Sequence, residues 1–115
     1  MSIDEKLRIK TFLIEKLKEE NAFWSYRQDS IRGDNVDDDN LIAWTLRHLD
    51  LDEINLLFSL YSKRKVKSAW RRLLVPEGDY LYTLNRFFAW YYFDAKRPDS
   101  YLKSLQTRYL NNLCK

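Results

Sequence analysis

Three observations predict an all-α fold, a single compact bundle of about six helices. Apolar residues recur at three- and four-residue steps along most of the chain. Only two glycines and two prolines punctuate 115 residues, too few for the turns of a sandwich or barrel. With 45% hydrophobic and 16% aromatic residues, collapse can offset the entropy of ordering the chain. At this length one domain is expected, with a core that needs neither a disulfide nor a metal.

Residues 1–20 are expected to form an N-terminal amphipathic helix, because Ile9, Phe12, Leu13 and Leu17 share a stripe while Lys and Glu fill the other faces. Residues 21–36 read as an aromatic loop in which Phe23, Trp24 and Tyr26 stand among Ser, Arg, Asn and Gly33. Residues 37–113 form the helical core. Asp37, Asp38 and Asp39 open the second helix, where carboxylates cap free amides and suit the positive end of the dipole; it runs to about Leu49. Asp50 and Glu53 have capping-box spacing and begin a third helix, with Ile54, Leu57, Phe58 and Tyr61 on one stripe. Ser62 caps a fourth helix from Lys63 to about Leu74, ended by Pro76 and Gly78. A fifth helix is expected from Asp79 to Asp94, apolar almost all round and central to the bundle, with polar relief mainly at Asn85 and Arg86. Pro98 and Asp99 start a sixth, in which Leu102, Leu105, Tyr109 and Leu113 face inward.

Charge is distributed unevenly. Tyr61 to Val75 holds six basic residues, Lys63, Arg64, Lys65, Lys67, Arg71 and Arg72, and no acid, whereas Asp37 to Leu60 holds six acids against Arg47 alone. Winding 63–74 as a helix places Val66, Ala69, Trp70 and Leu73 on an inward arc and turns the basic residues outward. Two residues, Tyr61 and Ser62, separate this helix from the one before it, a layout compatible with a helix-turn-helix-like pair. Arg64, Lys67, Ser68 and Arg71 would then lie nearest to base edges or phosphates, flanked by Arg72 and Lys65. The competing readings are a solvated helix face and a basic helix neutralised by the acidic one, within the monomer or across a homodimer. Aromatic side chains offer stacking platforms for single-stranded bases, but core packing is the expected use of Trp70 and Trp90. Tyr80, Tyr82 and Tyr92 are the interface candidates.

Catalysis is not expected. His48 is the only histidine, and its position near a helix end suits a protonated imidazole complementing the dipole. Cys114 is the only cysteine, so no intramolecular disulfide forms and no thiolate zinc cage assembles; a reducing cytoplasm is the natural compartment. A twelve-residue calcium loop from Asp34 would require Gly where Asp39 stands and Glu where Thr45 stands. No phosphate-cradling or nucleophile-elbow motif occurs. No cofactor and no metal are expected. The acidic start lacks the pattern of a secretory signal, and the longest apolar run, Phe87 to Phe93, is seven residues against the roughly twenty that span a bilayer.

The segments Asn21-Ala-Phe-Trp-Ser-Tyr, Leu41-Ile-Ala-Trp-Thr-Leu-Arg-His-Leu-Asp-Leu-Asp-Glu-Ile-Asn-Leu-Leu-Phe, Lys65-Val-Lys-Ser-Ala-Trp and Tyr92-Phe-Asp-Ala-Lys-Arg-Pro-Asp carry a resemblance spanning residues 21 to 102. In these the chain resembles a family of small bacterial proteins, some of which look like antitoxin partners of nucleotidyltransferase toxins from abortive-infection systems. The resemblance implies a non-catalytic helper that binds a protein partner, such as a toxin, and the operator DNA of its own gene, with Arg64, Lys67, Ser68 and Arg71 as the contacting residues. It implies no active site. The helix at residues 1–20 lies outside it and is available for self-association or partner contact.

Overall fold

The computed structural model describes residues 2–20 and 32–113, the side chains at 79, 109 and 111–113 excepted. These residues are all-α, with six α-helices and no strand among them. The helices are α1 (Ile3–Glu19), α2 (Asp38–His48), α3 (Leu51–Leu60), α4 (Lys63–Leu73), α5 (Tyr82–Tyr91) and α6 (Pro98–Leu113), with a 3-10 helix at Val75–Leu81 before α5. The chain divides into two compact units, Met1–Val66 and Lys67–Lys115, the division falling inside α4. Most of the aromatic loop expected at 21–36, including Phe23, Trp24 and Tyr26, lies outside the described residues, as does Cys114.

In the first unit each of α1, α2 and α3 packs on the other two. Leu13, Ile14 and Leu17 of α1 are buried, as are Leu41, Ile42 and Leu46 of α2 and Ile54 and Leu57 of α3. These are one stripe per helix, and each such side chain removed from water contributes about 1.5–3 kcal/mol. Phe12, expected inward, is exposed. The caps follow the sequence at two places and depart from it at a third. Asp37 Oδ2 accepts from the Asn40 amide at 3.1 Å and Ser62 Oγ from the Lys65 amide at 3.1 Å. Asp50 occupies the N-cap of α3, yet its side chain makes no capping hydrogen bond, so the capping-box expectation is corrected. At 32–36 the chain turns, with the Val36 amide donating to the Arg32 carbonyl at 3.0 Å. Gly33 is buried there against α1, and a Cβ on it would come within 2.9 Å of the Thr11 backbone nitrogen.

In the second unit α5 packs on α6 and on the 3-10 helix. The core consists of Ala69, Trp70, Leu74, Val75, Phe88, Ala89, Phe93 and Leu102. Two departures from expectation concern α5. It begins at Tyr82 rather than Asp79, because the chain kinks at Gly78 within the preceding 3-10 segment; Gly78 sits at φ +61°, ψ −129°, outside the helical region and costly for a side chain with a Cβ. It is also not central all round, since Trp90 and Tyr91 are exposed. Asn85, expected as solvent relief, is instead buried: its Oδ1 accepts from Trp70 Nε1 at 3.0 Å and its Nδ2 donates to the Leu74 carbonyl at 3.1 Å. At the other end of α5, Asp94 takes φ +57° and the Ala95 amide reaches back to the Ala89 carbonyl at 2.9 Å, a left-handed closure that a short polar residue tolerates.

Candidate nucleic-acid interface

Helix α4 carries the basic cluster. Alternation of apolar and cationic residues with helical period gives it one dry face, on which Val66, Ala69 and Trp70 are fully buried. Leu73, expected on that face, is 39% exposed, and Leu74 just past the helix end is buried in its stead. The linker to α3 is Tyr61 and Ser62, with Tyr61 extended at φ −130°, ψ 152°.

The six basic residues do not share one environment. Lys63, Arg64, Lys65, Arg71 and Arg72 are exposed, whereas Lys67 and Ser68 are half-buried. Arg64 and Arg71, two turns apart, have no ion-pair partner among the described residues. Arg72 Nε donates to Ser68 Oγ at 3.4 Å, which links two of the candidate residues to each other. The Lys67 ammonium stands over two rings, 5.9 Å from the Phe93 centroid and 5.5 Å from that of Tyr101. That contact holds the charge near the helix without neutralising it.

Lys65 departs from the expectation that every basic tip faces solvent. Its Nζ lies 3.4 Å from Asp38 Oδ2 and 5.4 Å from the Tyr61 ring centroid. Asp38 also pairs with Lys10 at 3.4 Å and accepts from the Tyr61 hydroxyl at 2.6 Å. Burial alone would raise the Asp38 carboxyl, but the Tyr61 hydroxyl and the two ammonium groups outweigh it and hold the group below the ordinary carboxylate range. Burial and the same hydrogen bond push the Tyr61 phenol well up. Sequence reasoning assigned Asp38 to helix capping and missed this node, because a contact across 27 residues leaves no local periodicity.

His48 lies in the last turn of α2, as expected, and its surroundings disfavour the protonated form anticipated there. Burial, then the neighbouring Arg47 guanidinium, lowers its pKa despite the opposing pull of Glu20, and the neutral imidazole is favoured. Tyr80 is 75% exposed, as an interface candidate should be, while Tyr82 and Tyr92 are half-buried. Among the described residues no three His, Cys, Asp or Glu side chains gather as a metal site would require, and no helix is long and apolar enough to cross a membrane.

The two units differ in charge. Lys67–Lys115 contains nine Lys or Arg against four Asp or Glu, a net of +5, while Met1–Val66 contains eleven against thirteen, a net of −2. The formal total of +3 conceals a strongly basic second unit of 49 residues. No family model, no curated protein and no solved structure matches the chain.

Proposed function

We propose that this chain is a non-catalytic binding protein of antitoxin-like or regulatory type, which engages a protein partner and contacts DNA through α4. The observation that carries the reading is the pair Arg64 and Arg71, exposed on one helix and in no ion pair among the described residues. A guanidinium fork suits phosphate oxygens and guanine edges, and each phosphate neutralised releases counterions. Lys67 adds a cation of restricted position, and Ser68 and Arg72 supply linked hydrogen-bonding groups beside it. The net +5 of the second unit favours an anionic ligand.

The test is duplex DNA binding over a range of salt. Losing two phosphate contacts in the Arg64→Ala, Arg71→Ala variant should reduce the log–log salt slope by about 2 and weaken affinity, with the circular dichroism spectrum unchanged. Equal slope and affinity in variant and parent would remove α4 from the interface. The Lys65–Asp38 pair favours a second reading, in which the basic helix serves acids of its own chain and the protein is an interaction or homodimerising module without a nucleic-acid role. In that case no salt-dependent DNA binding is seen, and solution mass shows a dimer.

A further inference from the structure

Part of the second unit remains outside this reading. Trp90 is 59% exposed although its segment has hardly any polar face, and Tyr91 beside it is exposed too. Thr83, Arg86, Phe87 and Trp90 of α5, with Lys96 and Pro98 at the approach to α6, line a cleft of about 600 Å³. That volume is in the range that holds a small ligand or one residue of a polymer. The Phe87 ring lies 6.5 Å from that of Trp90 and is stacked on Tyr91 at 5.2 Å with 13° between planes.

Of the two cations lining the cleft, Arg86 is held in place. Arg86 Nε donates to Asp99 Oδ1 at 3.1 Å, and the same carboxylate oxygen accepts from the Tyr82 hydroxyl. The Tyr82 hydrogen bond, with the Arg86 charge behind it, keeps the Asp99 carboxyl below its ordinary range, so it stays an anion that orients the guanidinium. No other partner of Arg86 is found among the described residues, nor any ion pair of Lys96. A 59% exposed indole, two cations lining the same cleft and a unit of net charge +5 are the components of a stacking platform beside a phosphate track.

We propose that this cleft binds single-stranded nucleic acid, one base stacking on Trp90 and the adjoining phosphate held by Arg86 and Lys96. An acidic peptide would satisfy the cations but leave the exposed indole plane without a flat counterpart. None of Arg64, Lys67, Ser68, Arg71 or Arg72 lines the cleft, so the two assignments share no residue.

The experiment uses the full chain, freed of bound nucleic acid, with fluorescein-labelled dT12 and rU12 followed by anisotropy, and the indole N–H resonances followed by NMR. Trp90→Ala should weaken binding of the oligomers about five- to a hundred-fold, and Trp90→Phe, which keeps a ring, much less. Lys96→Ala should flatten the salt dependence by about 0.7 in the log–log slope. The tighter of the two oligomers identifies DNA or RNA as the source. Neither variant should alter the duplex-DNA salt slope that Arg64→Ala, Arg71→Ala changes, so the two assignments fail separately. Unchanged oligomer affinity in a folded Trp90→Ala protein overturns the proposal. Absence of binding to both oligomers does so too, as does a poly-glutamate peptide that shifts the Trp90 resonance where the oligomers do not.

Discussion

Asn85 offers the sharpest test of how the second unit is built. Replacing it by Ala removes the acceptor of the Trp70 indole N–H and the donor to the Leu74 carbonyl. The two losses are unequal. The Leu74 carbonyl keeps the Glu77 amide at 3.1 Å, so it is not orphaned. Trp70 is fully buried and its N–H has no other acceptor among the described residues, so it bears a desolvation penalty of about 1–3 kcal/mol. Adding about 1 kcal/mol for the second hydrogen bond places the cost at about 2–4 kcal/mol. Urea unfolding followed by circular dichroism measures it, with equal m-values as the check that the denatured state is unchanged. In a Trp70→Phe background the donor is already gone, and the same Asn85→Ala change should cost at least about 1 kcal/mol less. A cost below about 0.5 kcal/mol in the parent, or the same cost in both backgrounds, would refute the view that Asn85 is there for the indole.

Two further outcomes are expected from other parts of the fold. Since the folded Asp38 carboxyl titrates below its unfolded value, its contribution is present above about pH 4 and is lost as pH falls through the lower folded pKa. Its side chain is 40% exposed, so solvent screening limits the effect to less than about 1 kcal/mol; Asp38→Asn should flatten the acid limb of stability, and identical limbs would count against the node. Gly78→Ala meets no atom within 4 Å, so its cost isolates the positive φ, about 1–3 kcal/mol and a fall of several degrees in Tm by calorimetry. An unchanged Tm would mean that the backbone there relaxes freely.

Much of the fold was legible because amphipathic helices write their buried stripe into local spacing: Leu13 and Leu17, Ile54 and Leu57, Val66 and Trp70 are buried as the periodicity requires. Segment 79–94 resisted the same reading. A run apolar on every side has no periodic contrast, so it shows neither where the helix begins nor which of Phe88 and Trp90 is covered. Asn85 was misassigned for a related reason, since a polar residue in such a run looks like solvent relief until its partner is seen. Of the candidate site, the helix and its basic face were readable. That Lys65 is tied to Asp38 while Arg64 is in no such pair was not, because pairing of charges far apart in sequence depends on how helices pack.

The Trp70 indole bond also determines how α4 can present itself. Rolling that helix about its axis would draw the indole out of its pocket and strip its N–H of the Asn85 oxygen, so rotation is locked as a key locks a shaft. Lys67, its ammonium over two rings, adds a contact on the same side. The point on the helix circumference from which Arg71 projects is therefore set by the packing of Trp70.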